Sequence, residues 1–212
     1  SFVPGDKEPG KCMVTGKPGK LIRLSQKFNF AGTSMSGASL ISFEPNCGFD
    51  SWGNTQCGNV QITTETNHDI CSALQKLNSN NSRNKIKLNK NRTLLFWSSK
   101  NEICKKVECG FFALLDIKHT ADSNLSEVEE LFKDIYSGVI KTTEDDRFYF
   151  MIISGGKSRL AVTYWNECTL KEFANNIHKH FENMDIPDTR KGNKKKPYKG
   201  LIQMIKSVTF EG

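Results

Sequence analysis

The side chains in this sequence best suited to chemistry are basic, and they are gathered rather than scattered. Lys157 and Arg159 stand at the bend of RFYFMIISGGKSRLAVTYW, residues 147–165. Arg190, Lys191, Lys194, Lys195, Lys196 and Lys199 fill RKGNKKKPYK, residues 190–199, which contains no acid. Clustered Lys and Arg suit a phosphodiester backbone, because each phosphate they neutralise releases condensed counterions whatever the base sequence. A run of this kind also serves as a plain solvated loop.

Groups for acid-base, nucleophilic or metal chemistry are sparser. Cys104 and Cys109 are followed by His119, but a zinc site needs a second close pair of ligands, so these read as packing cysteines. His178 and His180 are two apart and fall on different faces of a helix, unlike an i, i+4 metal pair, which leaves them as surface histidines. Asp145 and Asp146 could hold Mg²⁺ if a third carboxylate joined them; without it they read as a solvated turn. The small, polar stretch Gly32–Gly37 has the composition of a phosphate nest, yet it lacks a Gly-Lys-Ser/Thr ending and reads as a turn. Phe96-Trp97 and Tyr164-Trp165 end apolar runs and are assigned to the core rather than to base stacking. With no nucleophile-base-acid triad in view, no catalytic residue, metal or cofactor is expected.

The elements that must position these groups follow from periodicity. Phe148, Phe150 and Ile152 before Gly155-Gly156, with the β-rich run after it, predict a hairpin. A two-residue Gly-Gly turn with positive φ would set Ser154 opposite Lys157, Ile152 opposite Arg159, Phe150 opposite Ala161 and Phe148 opposite Thr163. After it, Thr169 with Glu172 forms a capping box ahead of Leu170, Phe173, Ala174, Ile177, Phe181 and Met184 at helical spacing. Ser126 with Glu129 starts another helix, with Val128, Leu131, Phe132 and Ile135 as its stripe and Gly138 as its cap. Further strands are expected at Cys12–Val14 paired with Leu21–Leu24, at Ala38–Phe43, at Asn59–Thr63 and at Thr93–Trp97. A helix over Thr64–Leu77 should bury Ile70, Ala73, Leu74 and Leu77. Asn78–Asn91 reads as an exposed connection around at most a short edge strand, and a short last element follows at Gly200–Thr209. The expected fold class is α+β. A β-rich part, residues 1–64, precedes residues 65–212, where strand, helix, strand, strand, helix gives a ferredoxin-like order.

Bulk properties agree with a folded, moderately basic chain. Its 212 residues can bury a substantial core, and its 30 Lys and Arg against 23 Asp and Glu leave a formal charge of +7. Seven cysteines, odd in number and widely spaced, suit reduced thiols in a cytosol better than a disulfide framework. No apolar run approaches the roughly 20 residues that span a bilayer. The start at Ser1 suggests a segment of something longer.

Several strings in fixed order resemble one family. They are Gly10-Lys-Cys-Met-Val-Thr-Gly16, Ser36-Gly-Ala-Ser-Leu-Ile-Ser-Phe43, Phe49-Asp-Ser-Trp-Gly53, Thr93-Leu-Leu-Phe-Trp97, Arg147-Phe-Tyr-Phe-Met-Ile and Ser158-Arg-Leu-Ala-Val-Thr-Tyr-Trp165. In that order they are similar to the large subunit of the type I-C CRISPR surveillance complex, Cascade, from Gly10 to Met184. The resemblance implies an internal portion of a divergent member. Ser25, Glu44, Trp52 and Thr163 stand where the family tends to have His, Asn, Tyr and Arg, so Arg159 loses a basic neighbour at 163.

The resemblance further implies a non-catalytic, cytoplasmic protein that contacts the guide RNA near its 5′ handle. It implies recognition of a short motif in target DNA, help in displacing a strand, contact with other Cascade subunits and recruitment of a helicase-nuclease. The expected contact residues are the eight basic side chains named at the outset. On the residues alone, two other readings stay open. One is a metal-dependent RNA-processing enzyme or phosphodiesterase on a ferredoxin-like core, using Asp145, Asp146 and His119. The other is a purely structural domain that holds neighbouring subunits.

Overall fold

The computed structural model describes residues 9–43, 46–48, 56–99, 130, 133 and 146–183. The fold is α+β. It divides into two compact units, one formed by Ser1–Leu95 with Phe150–Trp165 and the other by Phe96–Tyr149 with Asn166–Gly212.

In the first unit, β1 (Pro9–Lys11) and β2 (Pro18–Lys20) form an antiparallel ribbon. The expected strand at Cys12–Val14 is instead the turn between them: Gly16 N–H donates to Cys12 C=O at 2.8 Å, and Gly16 has φ of 70°. Leu21 then meets Thr63 in a single bridge. β3 (Lys27–Phe28) pairs antiparallel with β4 (Ala38–Ser39), so the strand expected over Ala38–Phe43 stops after two residues. Gln56–Asn59 is a 3-10 turn where a strand was expected to begin. Cys12, Ile22, Cys57 and Ile62 pack as one buried cluster against Ile41 and Val60.

Helix α1 (Thr64–Asn78) starts where Thr63, in extended conformation, accepts a hydrogen bond from Thr66 N–H. Its inward face carries Thr66, Cys71 and Leu74, whereas Ala73, assigned to that face from sequence, is exposed. Cys12 is 1 % exposed beside this helix start, with its thiol 3.4 Å from Thr66 Oγ1. Hydrogen bonding with Thr66, then with the Thr63 backbone and Thr15, lowers the Cys12 thiol to about 5, against the opposing effect of burial.

β5 (Lys85–Lys87), β6 (Arg92–Ser98), β7 (Arg147–Gly155) and β8 (Leu160–Thr169) form a four-stranded sheet in that order. β5 is the short edge strand expected within residues 78–91, and it pairs antiparallel with β6. A ferredoxin-like order would place β8 beside β6, but β6 has β5 and β7 as its neighbours. The strands therefore follow one another as a meander, and the ferredoxin-like expectation fails on connectivity.

The β7–β8 turn also differs from expectation. Gly156 N–H donates to Arg159 C=O at 2.8 Å, so the two enclosed residues are Lys157 and Ser158 rather than the glycines. Thr163 Oγ1 reaches Ile152 C=O at 3.2 Å, so Thr163 lies across from Ile152, not Phe148. The glycines serve another end. A Cβ on Gly155 would collide with the Ala31 carbonyl, so the bare backbone lets residues 31–32 cross the end of β7. β8 is the outermost of the described strands, and Ala161–Glu167 are all exposed. Tyr164 and Trp165 are accordingly 47 % and 51 % exposed rather than core; the Tyr164 ring stacks on Phe150 at 5.8 Å.

In the second unit, α2 (Leu170–Asn183) begins with the expected capping box. Thr169 N–H donates to Glu172 Oε2 at 2.8 Å, while Glu172 N–H donates to Thr169 Oγ1 at 3.1 Å. Leu170, Phe173, Ala174 and Ile177 are buried as the spacing required. Phe148 is sandwiched between Phe173, 4.1 Å away by ring centroids, and Phe96 at 6.2 Å. Asp146 is only 4 % exposed and its carbonyl accepts Leu170 N–H at 3.0 Å, so it is a buried helix-anchoring residue and not a solvated turn.

Candidate nucleic-acid interface

The β5–β6 and β7–β8 turns lie at the same end of the sheet, within the first unit. The meander requires it, and a 2.8 Å hydrogen bond from Gly155 N–H to Asn91 C=O joins them directly. Two strand spacings separate the turns, about 10 Å. The first turn is closed by Leu88 and Asn89 N–H groups, both donating to Arg92 C=O at 3.0 and 3.4 Å. It carries Lys87, Lys90 and Arg92, and the second carries Lys157 and Arg159; all five are exposed.

A third segment completes this end. The β3–β4 loop is rooted by Phe28, Phe30 and Ala38, all buried, and Ser34 N–H donates to Lys157 C=O at 3.0 Å. Ser39 forms a parallel bridge with Arg159. The Ser34 and Ser36 hydroxyls are 2.9 Å apart. Residues 27–43, 85–95 and 150–165 contain no Asp or Glu, and among the described residues Lys87, Lys90, Arg92 and Lys157 enter no ion pair. Positive potential therefore accumulates here, over segments that themselves contribute no carboxylate.

Charge is segregated between the units on a larger scale. The first has fourteen Lys and Arg against six Asp and Glu; the second has sixteen against seventeen. The second unit is nearly neutral even though it includes the basic run 190–199. An open cleft of about 300 Å³ in the first unit is lined by Lys17 and Lys20, but Glu65 and Asp69 line it too and balance them.

Of the eight basic residues named from sequence, the structure places Lys157 and Arg159 together; Arg190, Lys191, Lys194, Lys195, Lys196 and Lys199 lie outside the described residues. So do Asp145, Cys104, Cys109 and His119, and the helix expected at Ser126–Ile135 is described only at Glu130 and Lys133, both helical. His178 Nδ1 lies 3.4 Å from Glu182 Oε2 on α2, a helix-surface pair. Burial holds the His180 imidazole below its usual value. The five described cysteines are free. Among the described residues no three His, Cys, Asp or Glu side chains converge as a metal site would require, and no helix is long and apolar enough to cross a membrane.

Lys87, Lys90 and Arg92 were missed. Their signal was the recurrence of cations inside the Asn-rich stretch, but only the strand pairing of Lys87 with Thr93 folds them back toward the Gly155 turn.

Fold and charge thus define a basic α+β chain with one strongly cationic sheet end. Over residues 4–211 its sequence matches the family described as CRISPR-associated protein (Cas_Csd1), and the chain belongs to that family, as the ordered strings from Gly10 to Trp165 led us to expect. No curated protein sequence matches it.

Proposed function

We propose that this chain is a non-catalytic, nucleic-acid-binding part of a CRISPR surveillance complex. In this reading it contacts the guide-RNA handle and the target DNA, helps recognise a short target motif and displace a strand, and adjoins other subunits and a recruited helicase-nuclease in the cytoplasm. The observation that carries the reading is the convergence of Lys87, Lys90, Arg92, Lys157 and Arg159 at one sheet end with no acidic residue in the segments that form it. Exposed cations on well-anchored turns contact phosphates without reading bases, which suits a protein that delegates sequence choice to guide-target pairing.

Electrophoretic shift of the purified chain on guide RNA, duplex and single strand over a salt series tests it. Each lost phosphate contact lowers the log-log salt slope by about 0.9 on duplex. Replacing Lys90, Arg92, Lys157 and Arg159 with Ala together is expected to lower it by about 3 to 4, and K194A/K195A/K196A measures the share of the 190–199 run in the same assay. Undiminished binding in the sheet-end variant would remove this surface from the reading. Cleavage of RNA or DNA with Mg²⁺ or Mn²⁺ would overturn its non-catalytic part.

A further inference from the structure

β8 is rooted by Leu160, which is buried, and every residue of the run Ala161–Glu167 that follows is exposed. Successive side chains on a strand point to opposite faces, so both faces of β8 are open along this run. Its outer edge is open as well, since β7 is its one neighbour among the described strands. The strand is nevertheless held. Thr163 Oγ1 donates to Ile152 C=O at 3.2 Å, and the Tyr164 ring stacks on Phe150. Sheet edges are commonly blunted by Lys, by Pro or by being very short, because their unpaired N–H and C=O groups form a template for another strand. Residues 160–166 contain neither Lys nor Pro, and β8 is ten residues long.

We propose that this edge is a self-association surface, on which β8 of a second copy of this chain pairs antiparallel about a two-fold axis at Thr163. Charge selects both the partner and the direction. Arg159 precedes the strand and Glu167 lies near its far end. With Thr163 opposite the second copy's Thr163, each Glu167 falls opposite the other copy's Arg159, whereas a parallel pairing would set like charges together. The same register puts Val162 opposite Tyr164, a β-branched and aromatic pair of the kind that stabilises antiparallel ladders, and Ala161 opposite Trp165, small against large. The pairing is self-complementary, as a two-fold interface requires. Ser39 already bridges the Arg159 backbone, so the new ladder runs over Ala161–Trp165 and Arg159 contributes its exposed side chain. A ladder this short covers less than a standard interface, and the dimer is weak, half-formed at about 10–100 µM.

Sedimentation velocity of the full chain without nucleic acid, from low to several hundred micromolar, tests the pairing. Wild type is expected to pass from monomer to dimer. Glu167→Arg sets like charges together at two symmetric places and should weaken the dimer about tenfold, and adding Arg159→Glu to it should restore the affinity, with thermal melting to show that each variant is folded. Register is read independently. Under mild oxidation Thr163→Cys should give a dimer linked through residue 163 of both copies, mapped by peptide mass analysis, whereas Ala161→Cys should not link to itself, because position 161 faces 165 across the axis. A dimer with these responses supports the proposal. A chain that stays monomeric throughout overturns it, and hydrogen exchange then names the occupant: protected β8 amides mean that this chain's own residues cover the edge, and fast-exchanging ones leave it to a different protein. A dimer indifferent to Glu167→Arg and unlinked through Thr163→Cys also overturns it.

Discussion

Gly155 and Ala31 touch through bare backbone: the position a Cβ would take on Gly155 is filled by the Ala31 carbonyl. The neighbouring Gly156 differs. Its Cβ would meet nothing nearer than Arg159 O at 3.5 Å, and neither glycine has positive φ. Gly155→Ala should therefore destabilise the chain by about 1–3 kcal/mol through overpacking. Gly156→Ala should change it by less than about 1 kcal/mol, with a slight gain from the stiffer unfolded chain. Differential scanning fluorimetry of the two variants decides; equal losses would mean that the residue 31–32 crossing yields easily.

The capping box of α2 makes a second prediction. Thr169→Ala removes the oxygen that receives Glu172 N–H and should cost about 1 kcal/mol. Hydrogen bonds from the Thr169 N–H and hydroxyl hold the Glu172 carboxyl below its ordinary value. A lowered folded pKa means that the associated stability is present above the unfolded value, about 4.3, and is lost as pH falls through the lowered one. Acid titration of the melting temperature should show a loss below that range that is smaller in Glu172→Gln.

Phe148, 1 % exposed between Phe96 and Phe173, is the aromatic on which the second unit depends. Phe148→Ala should cost about 3–5 kcal/mol and Phe148→Leu clearly less. Urea unfolding midpoints for both variants measure this directly.

The cysteines should alkylate in an order set by access and thiolate supply together. Among the described cysteines, Cys47 is exposed and should react first at pH 8. Cys168 should lag, because burial and the Glu172 carboxylate, partly offset by Arg147, push its thiol up to about 11. Cys12 has the lowered thiol but is 1 % exposed, so reagent reaches it only when the β1–β2 turn opens. Peptide mass mapping of a short iodoacetamide pulse gives the order; early labelling of Cys12 would show that the turn opens readily.

These contrasts show what the sequence makes legible. Short-range rules worked where the determining atoms are a few residues apart. The Thr169–Glu172 capping box and the buried spacing of Leu170, Phe173, Ala174 and Ile177 follow from helical geometry alone. Rules that depend on distant chain did worse. Gly155-Gly156 carries the ordinary signature of a hairpin turn, and nothing local reveals that Ala31 must pass across Gly155. Tyr164 and Trp165 look like core until β8 is known to be the outermost described strand. The sheet end shows both cases: Lys157 and Arg159 are two residues apart in sequence, whereas Lys87, Lys90 and Arg92 join them only through a strand order that periodicity does not specify.

The division of the chain has a kinetic consequence. The first unit takes in Phe150–Trp165, after the whole of 96–149 has intervened. During synthesis, residues 1–95 leave the ribosome without the strand that gives Asn91, Ala31 and Ser34 their partners. Loop closure over such a separation is slow relative to local turns. The cationic end therefore cannot exist on the nascent chain until Lys157 and Arg159 have emerged, and a ribosome stalled short of that point would hold a strand edge with nothing to pair against, open to chaperones or to another copy.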